Sequence, residues 1–425
     1  MTEAGSKGST AARSSRKGRR WNLPPHPAHF VNATPGCGFT SKSGLRSVKE
    51  QRSPGRGTGQ GPGELPSGQI HPSVGAEKNF PELCFVESIF ALMAVFAKIA
   101  LMFPLMLQGV VVSPRPAAKW DNSKSVRFLA LGDWGGLPFK PYTTPVEKNT
   151  AHQMGVVAET MGIDFILSLG DNFYYSGVNN VTDHRFQETF EDIFSANSLK
   201  DKPWYVVAGN HDHSGNVTAQ IKYSKVSKRW NFPHYYYDLN FAIAGSNTTI
   251  TILMLDTVLL CGNSDDFMGM GPEGPSDHRV ANAQLQWVQE KLKTSRSDFL
   301  IVAGHYPVWS IAEHGPTKCL VQKLYPLLVQ YRVSAYFCGH DHNLQFIRDS
   351  DGIGYVLSGA GNFMENSTKH KHHVPEGWLK FFYADISSFG GFVYVEIVPE
   401  QMIITYIEAH GKSLYRTTIP RRSSR

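Results

Sequence analysis

Seven times between Val126 and Gly359, an apolar, β-branched or aromatic run stops at a short polar cluster, most often one that begins with glycine. Val126–Leu131 leads into Gly132-Asp133, Phe165–Leu169 into Gly170-Asp171, and Trp204–Ala208 into Gly209-Asn210-His211. Ile250–Leu255 precedes Asp256, Phe299–Ala303 precedes Gly304-His305, Ala335–Cys338 precedes Gly339-His340, and Tyr355–Leu357 precedes Ser358-Gly359. Runs this continuously apolar suit strands buried on both faces. Helical patterns lie between them. Ala281–Thr294 places Leu285, Val288 and Leu292 on one face with Gln and Lys opposite, and Thr150–Met161 and Leu320–Tyr331 look similar. Gly390–Ile419 alternates as antiparallel strands do. The expectation is α/β: one catalytic domain over residues 125–420, a β-sandwich of two mixed sheets flanked by helices.

The net charge of +6 suggests nucleic-acid or membrane binding until it is located. Residues 1–84 hold 12 of the 42 basic and 5 of the 36 acidic residues, so the remainder is nearly neutral. No polyanion groove is expected in the body, and no nucleic-acid partner. Residues 1–84, rich in Gly, Ser, Pro and Arg, read as a disordered extension. Residues 85–112 form an apolar, signal-peptide-like segment: Lys98, then Ile99–Leu107, then a small-residue exit near Gly109. It lies far from Met1, so Met93 is expected as the biological start, with no stable membrane span after cleavage. Lysosomal or extracellular residence in the secretory pathway follows.

Cysteine usage agrees with that compartment. No CxxC pair exists; Cys261 and Cys319 sit in loop-like stretches and could pair, while Cys338 lies on an apolar strand as a buried thiol. Sequons at Asn180, Asn216, Asn247 and Asn366 in the body, and at Asn32 in the extension, fit a glycoprotein.

The residues beyond the strand ends are Asp133, Asp171, Tyr174, Asn210, His211, His305, His340 and His342. Any one alone reads as a turn or a backbone-satisfied side chain. Together, each group following its own strand, they are carboxylates, imidazoles, an amide and a phenol: metal-ligand types with no thiolate. Seven donors exceed one ion's needs and suit two ions sharing a bridging carboxylate. His340 and His342 are two apart, so in extended chain they point the same way and can serve a close pair.

The segments Gly132-Asp133-Trp134-Gly135-Gly136, Gly170-Asp171-Asn172-Phe173-Tyr174, Gly209-Asn210-His211-Asp212, Gly304-His305-Tyr306-Pro307 and Gly339-His340-Asp341-His342 resemble the five signature blocks of the purple acid phosphatases. Likeness to the small mammalian-type members runs from about Val126 to Pro420, through stretches such as Arg185–Phe194, Cys261–Phe267 and Gly354–Phe363. The resemblance implies a ferric ion on Asp133, Tyr174 and His342. It puts a divalent ion, Fe(II) in the animal enzymes with Zn or Mn as options, on Asn210, His305 and His340, and has Asp171 bridge the two. It implies an acid phosphatase acting on phosphate monoesters of small molecules or proteins, with His211 and His314 as outer histidines that bind phosphate or donate a proton, and a monomer.

Tyr174 discriminates: a phenolate is a hard anion that favours Fe(III), and ordinary metallophosphoesterases resemble this position less. The alternative is a Mn/Zn metallophosphoesterase acting on nucleotides or phosphodiesters. A secreted binding protein that kept the fold is a third reading, set against seven intact donors. Asp212 and Asp341 adjoin ligands and could orient imidazoles or simply make turns. Met268–His278 reads as an exposed loop; in mammalian-type relatives the corresponding loop covers the site and is cut to activate the enzyme, but the sequence differs here. Lys369–His373 is a basic cluster, a solvated loop or a contact for phosphorylated substrates.

Overall fold

Why the strand runs are apolar throughout is visible in β1 (Val126–Leu131) and β2 (Phe165–Ser168). Phe128, Ala130, Phe165 and Leu167 point into one core, while Leu129, Leu131 and Ile166 point into a second on the opposite face. Each face is covered, so alternation cannot show in the sequence. The computed structural model describes residues 124–423. The extension 1–84, the segment 85–112, Met93 and the sequon at Asn32 lie outside the described residues.

One seven-stranded sheet runs β14-β13-β12-β1-β2-β3-β4 and the other β11-β9-β10-β8-β7-β6-β5. In the first, β3 (Trp204–Val206) and β4 (Trp230–Asn231) continue the parallel run of β1 and β2. The strands β12 (Gly391–Ile397), β13 (Gln401–Glu408) and β14 (Ser413–Pro420) add antiparallel. In the second, β6 (Thr249–Met254), β7 (Phe299–Ala303), β8 (Ala335–Cys338) and β10 (Gly354–Ser358) are parallel. It is edged by antiparallel β5 (Tyr237–Ala242), β9 (Leu344–Arg348) and β11 (Leu379–Tyr383). Both sheets are mixed and pack face to face, as expected. The strands β4, β5, β9 and β11 escaped the sequence reading; most carry polar or half-buried residues where the central runs are apolar.

Helix α1 (Pro145–Met161) covers the first sheet, starting at Thr144, whose hydroxyl accepts from the Glu147 amide in a capping box. On the way to β4 come a one-turn helix α2 (Asn210–His213) and α3 (Val217–Tyr223). Short α4 (Thr257–Cys261) follows β6, and α5 (His278–Thr294) covers the second sheet. Gln284 does not face outward as its polarity suggests. It is buried, its amide pairing with both the N–H and the carbonyl of Asp256 at 2.9 Å, so two backbone groups at the end of β6 are satisfied. The expected helix over 320–331 is two, α6 (Lys318–Lys323) and α7 (Tyr325–Gln330), broken beside Pro326, which lacks the N–H a continuous helix needs. A Cys261–Cys319 disulfide ties α4 to α6, and Cys338 is a buried free thiol. No helix among the described residues is long and apolar enough to cross a membrane.

Candidate metal centre

The parallel strands of both sheets deliver their C-terminal ends to one place. Asp133, Asp171, Tyr174, Asn210 and His211 come from loops of the first sheet; His305, His340 and His342 come from the second. Asp133, Asp171 and His340 sit at φ 57°, 51° and 73°, a left-handed conformation that costs a non-glycine residue energy and clusters at functional sites. The glycines beside them allow close approach. A side chain on Gly170 (φ 95°) would meet the His305 ring, and one on Gly339 would run into Asp133 Oδ2.

The donors fall into two groups. The Tyr174 hydroxyl donates to Asp133 Oδ1 at 3.2 Å and lies 2.9 Å from His342 Nε2, which is 3.8 Å from Asp133 Oδ1. His305 Nε2 lies 2.9 Å from Asn210 Oδ1 and 3.4 Å from Asp171 Oδ2, and His340 completes a cluster with Asp171 and His305 whose donor atoms lie within 4.8 Å of one another. Two ligands about 2 Å from one ion stand roughly 3–4 Å apart, so each group has the spacing of a coordination shell. The His305 Nδ1–H donates to the Leu169 carbonyl at 2.9 Å, which turns Nε2 inward. All but His342 are buried.

Two buried atoms of the cluster, Asp171 Oδ2 and His340 Nδ1, have no hydrogen-bond partner. Buried polar atoms rarely stay unpaired, and a cation would satisfy both. Burial and the neighbouring Asp171 hold the Asp133 carboxyl well above its ordinary range. Burial, Asp133 and Asp171 do the same to the Tyr174 phenol. Without a cation these groups prefer to be neutral; the donor set fits a close pair of cations and little else.

The two outer histidines flank the donors. His211 gives its Nδ1–H to the Tyr175 carbonyl at 2.7 Å and turns Nε2 toward Asp266, 3.3 Å away, with Asp171 Oδ2 at 4.0 Å. Burial pushes its pKa down, but these carboxylates outweigh that and raise it to about 9. His314 stacks on His340 at 4.0 Å between ring centroids, pairs through Nδ1 with Asp341 at 2.9 Å, and points Nε2 at Asp266, 3.4 Å away. Burial again lowers and the two carboxylates raise, to about 11.

Asp341 therefore orients an imidazole. Asp212 does not; its carboxylate accepts from the Gly209 and Asn172 amides at 2.9 and 3.0 Å and from Gln220 at 2.8 Å, pinning two donor loops together. Arg185 clamps the same region, donating to the carbonyls of Gly135 and Tyr174. Asp266 was not singled out from the sequence. It opens a single 3-10 turn, Asp266–Met268, with no strand directly before it, yet contacts Asn210 Nδ2 at 2.8 Å as well as both outer histidines. Met270, in the glycine- and methionine-rich loop that follows it, lines both cavities beside the site.

Residues 126–344 match the family described as calcineurin-like phosphoesterases. Tartrate-resistant acid phosphatase type 5 of the rabbit, Oryctolagus cuniculus, is 59% identical over 299 residues, which cover 70% of this chain and 92% of the relative. The chain belongs to the tartrate-resistant acid phosphatase type 5 family. The human member (Homo sapiens) is 56% identical over 319 residues, 75% of this phosphatase and 97% of its own length. Among solved structures, the Plasmodium inner-membrane-complex anchor GAP50 superposes with a TM-score of 0.60 at 23% identity, covering 71% of this chain and 90% of that one. That likeness concerns the fold alone, and a fold does not fix an activity. What assigns this phosphatase to the enzymes is its sequence identity with them.

Proposed function

We propose that the chain hydrolyses phosphate monoesters in acid at a binuclear centre. Asp133, Tyr174 and His342 would hold Fe(III), Asn210, His305 and His340 a divalent ion, and Asp171 would bridge them. The observation that carries this is the Tyr174 hydroxyl seated between Asp133 and His342 in a buried cluster whose Asp171 and His340 atoms lack partners. Two bound cations supply charge for the phosphate oxygens and lower the pKa of water. The divalent ion is iron in this reading; zinc or manganese suits an amide and two imidazoles as well.

The chain's own groups complete the reaction. His211 and His314, held protonated by Asp266, Asp171 and Asp341, face the place where a phosphate would sit. They bind its oxygens and hand a proton to the departing alkoxide. With their pKa raised to about 9 and about 11, both stay protonated throughout the acidic range.

The exposed asparagines Asn180, Asn216, Asn247 and Asn366 and the disulfide support a glycosylated, secreted or lysosomal protein; in this reading it is also a monomer, cleaved near residue 109. Peptide mapping of the natural protein with and without glycosidase tests this; any peptide from residues 1–80 sinks the start at Met93.

The centre is tested by a visible spectrum with metal analysis and p-nitrophenyl phosphate hydrolysis at acidic pH, with and without tartrate. Two metals per chain, a purple band lost in Tyr174→Phe, and tartrate-resistant activity are expected. A colourless, active protein would replace Fe(III) by zinc or manganese and reduce Tyr174 to packing.

A further inference from the structure

The metal centre opens on two flanks that differ in charge. One cavity, of about 440 Å³, is lined by Tyr175 and Phe267 with the acidic Asp265, Asp266 and Glu273. The other, of about 460 Å³, shares Asp266 and Met270 with it and runs from His340 and His314 outward to Glu313, Lys318, Lys369 and His373. Either has room for the leaving group of a small ester. Only the second offers cations at its outer end.

The backbone that carries Lys369 and His373 is held in place by the fold. Segment 367–373 is fastened to segment 311–315, which carries His314. The His370 amide donates to the Ile311 carbonyl at 3.0 Å, the His370 Nδ1–H to the Ala312 carbonyl at 2.8 Å, and Ser367 Oγ to Glu313 at 2.8 Å. Gly315 (φ 64°) lies so close that any side chain there would run into the His370 ring. The Glu365 amide donates to the His342 carbonyl at 2.8 Å, so the same segment is also tied to a donor loop. Lys369 pairs with Glu313 at 2.8 Å; Lys318 has no ion pair among the described residues.

We propose that Lys318, Lys369 and His373 form a second-anion subsite, which takes the distal phosphate of a small, doubly phosphorylated ester while its other phosphate is cleaved at the centre. The proposal rests on the phosphomonoesterase reading and narrows its substrate class. The balance is that of ordinary hydrolysis. Water adds to phosphorus, the ester P–O bond breaks, and the alcohol leaves with a proton from an outer histidine and its second phosphate still attached. The ammonium groups hold that phosphate and so orient the leaving group along the basic flank.

The test uses the full, metal-containing protein and a series of linear alkanediol bisphosphates with two to six carbons, each beside the matching alkyl monophosphate. The readout is the ratio of kcat/KM for bisphosphate to that for monophosphate. A ratio well above the statistical advantage of two ends, with a maximum at one chain length, is expected, because the second site is fixed. Lys318→Gln and Lys369→Gln each lower the ratio by about fivefold, as befits exposed charge pairs, and Lys318→Glu lowers it further. A statistical ratio at every length, or a ratio the lysine variants leave unchanged, overturns the subsite while hydrolysis of the monophosphates leaves the phosphatase reading standing. Failure to hydrolyse p-nitrophenyl phosphate and the whole series overturns both.

Discussion

His211 and His314 are separated by 103 positions in the chain, yet Asp266 Oδ2 lies 3.3 Å from one and Oδ1 3.4 Å from the other. One carboxylate thus helps keep two imidazoles protonated, and its own pKa is driven far down although burial opposes this; His340, His211 and His314 outweigh it. A proton donor matters in proportion to how badly the leaving group needs it. His211→Ala should therefore cut kcat about 100-fold for an alkyl phosphate and less than about tenfold for p-nitrophenyl phosphate, whose leaving group is stable as an anion. Steady-state kinetics over a leaving-group series checks this, and an equal loss for every ester removes the acid role. His211 and the strand-end donors were legible because each follows an apolar run, whereas His314, which follows none, was reached only through the family resemblance. Asp266 was not, because a lone aspartate in an irregular loop carries no local signal; only the tertiary fold brings it to the site.

The one-turn helix α2 shows how an element too short to be stable alone is held. Its N-terminal side is fixed by Asp212, and its last residue, His213, reaches Asp256 at the end of β6 with Nε2–Oδ2 2.7 Å. The pair thus joins a loop of the first sheet to the turn between β6 and α4 in the second. Burial lowers the His213 pKa, but Asp256 outweighs it and the net shift is upward, with Asp212 adding and His305 opposing. A raised pKa in the folded state means that the folded protein keeps a proton the unfolded chain releases near pH 6.5. The stabilisation is therefore complete below about pH 6.5 and fades as pH rises through the folded value. A charged hydrogen bond of this kind contributes about 2 kcal/mol, or about 4 °C of Tm. Thermal melts of wild type and His213→Gln should differ by that much near about pH 5 and converge at alkaline pH. A gap independent of pH would show that His213 acts by shape alone. The two long helices and most central strands could be read from the sequence because packing makes them periodic or uniformly apolar; the short helices α2, α3 and α4 are too brief to show a period, and the edge strands β4, β5 and β11 could not be read, since half-burial leaves their residues mixed.

At the scale of the molecule, the division of labour between the sheets decides what the metals do for stability. In the proposed centre the first sheet would supply the anionic and amide donors, Asp133, Asp171, Tyr174 and Asn210, and the second the imidazoles, His305, His340 and His342. A cation bound by both groups links the two sheets at the ends of their strands. In its absence, two buried carboxyls face each other, and Asp133 is pushed toward its protonated form. Ligand binding to the native state adds RT ln(1 + [L]/Kd), about 4 kcal/mol at a thousandfold excess over Kd. Stripping the metals with a chelator should then lower Tm by about 8 °C for a domain of this size. Hydrogen exchange distinguishes a linker from a local ligand. If the cations join the sheets, the amides of Asp171–Tyr174 and those of Gly339–His342 lose protection together on chelation and regain it together when iron returns. Loss confined to one set would mean that the other sheet holds its loop without metal, and the seven donors would then act as two separate sites, not as one shared centre.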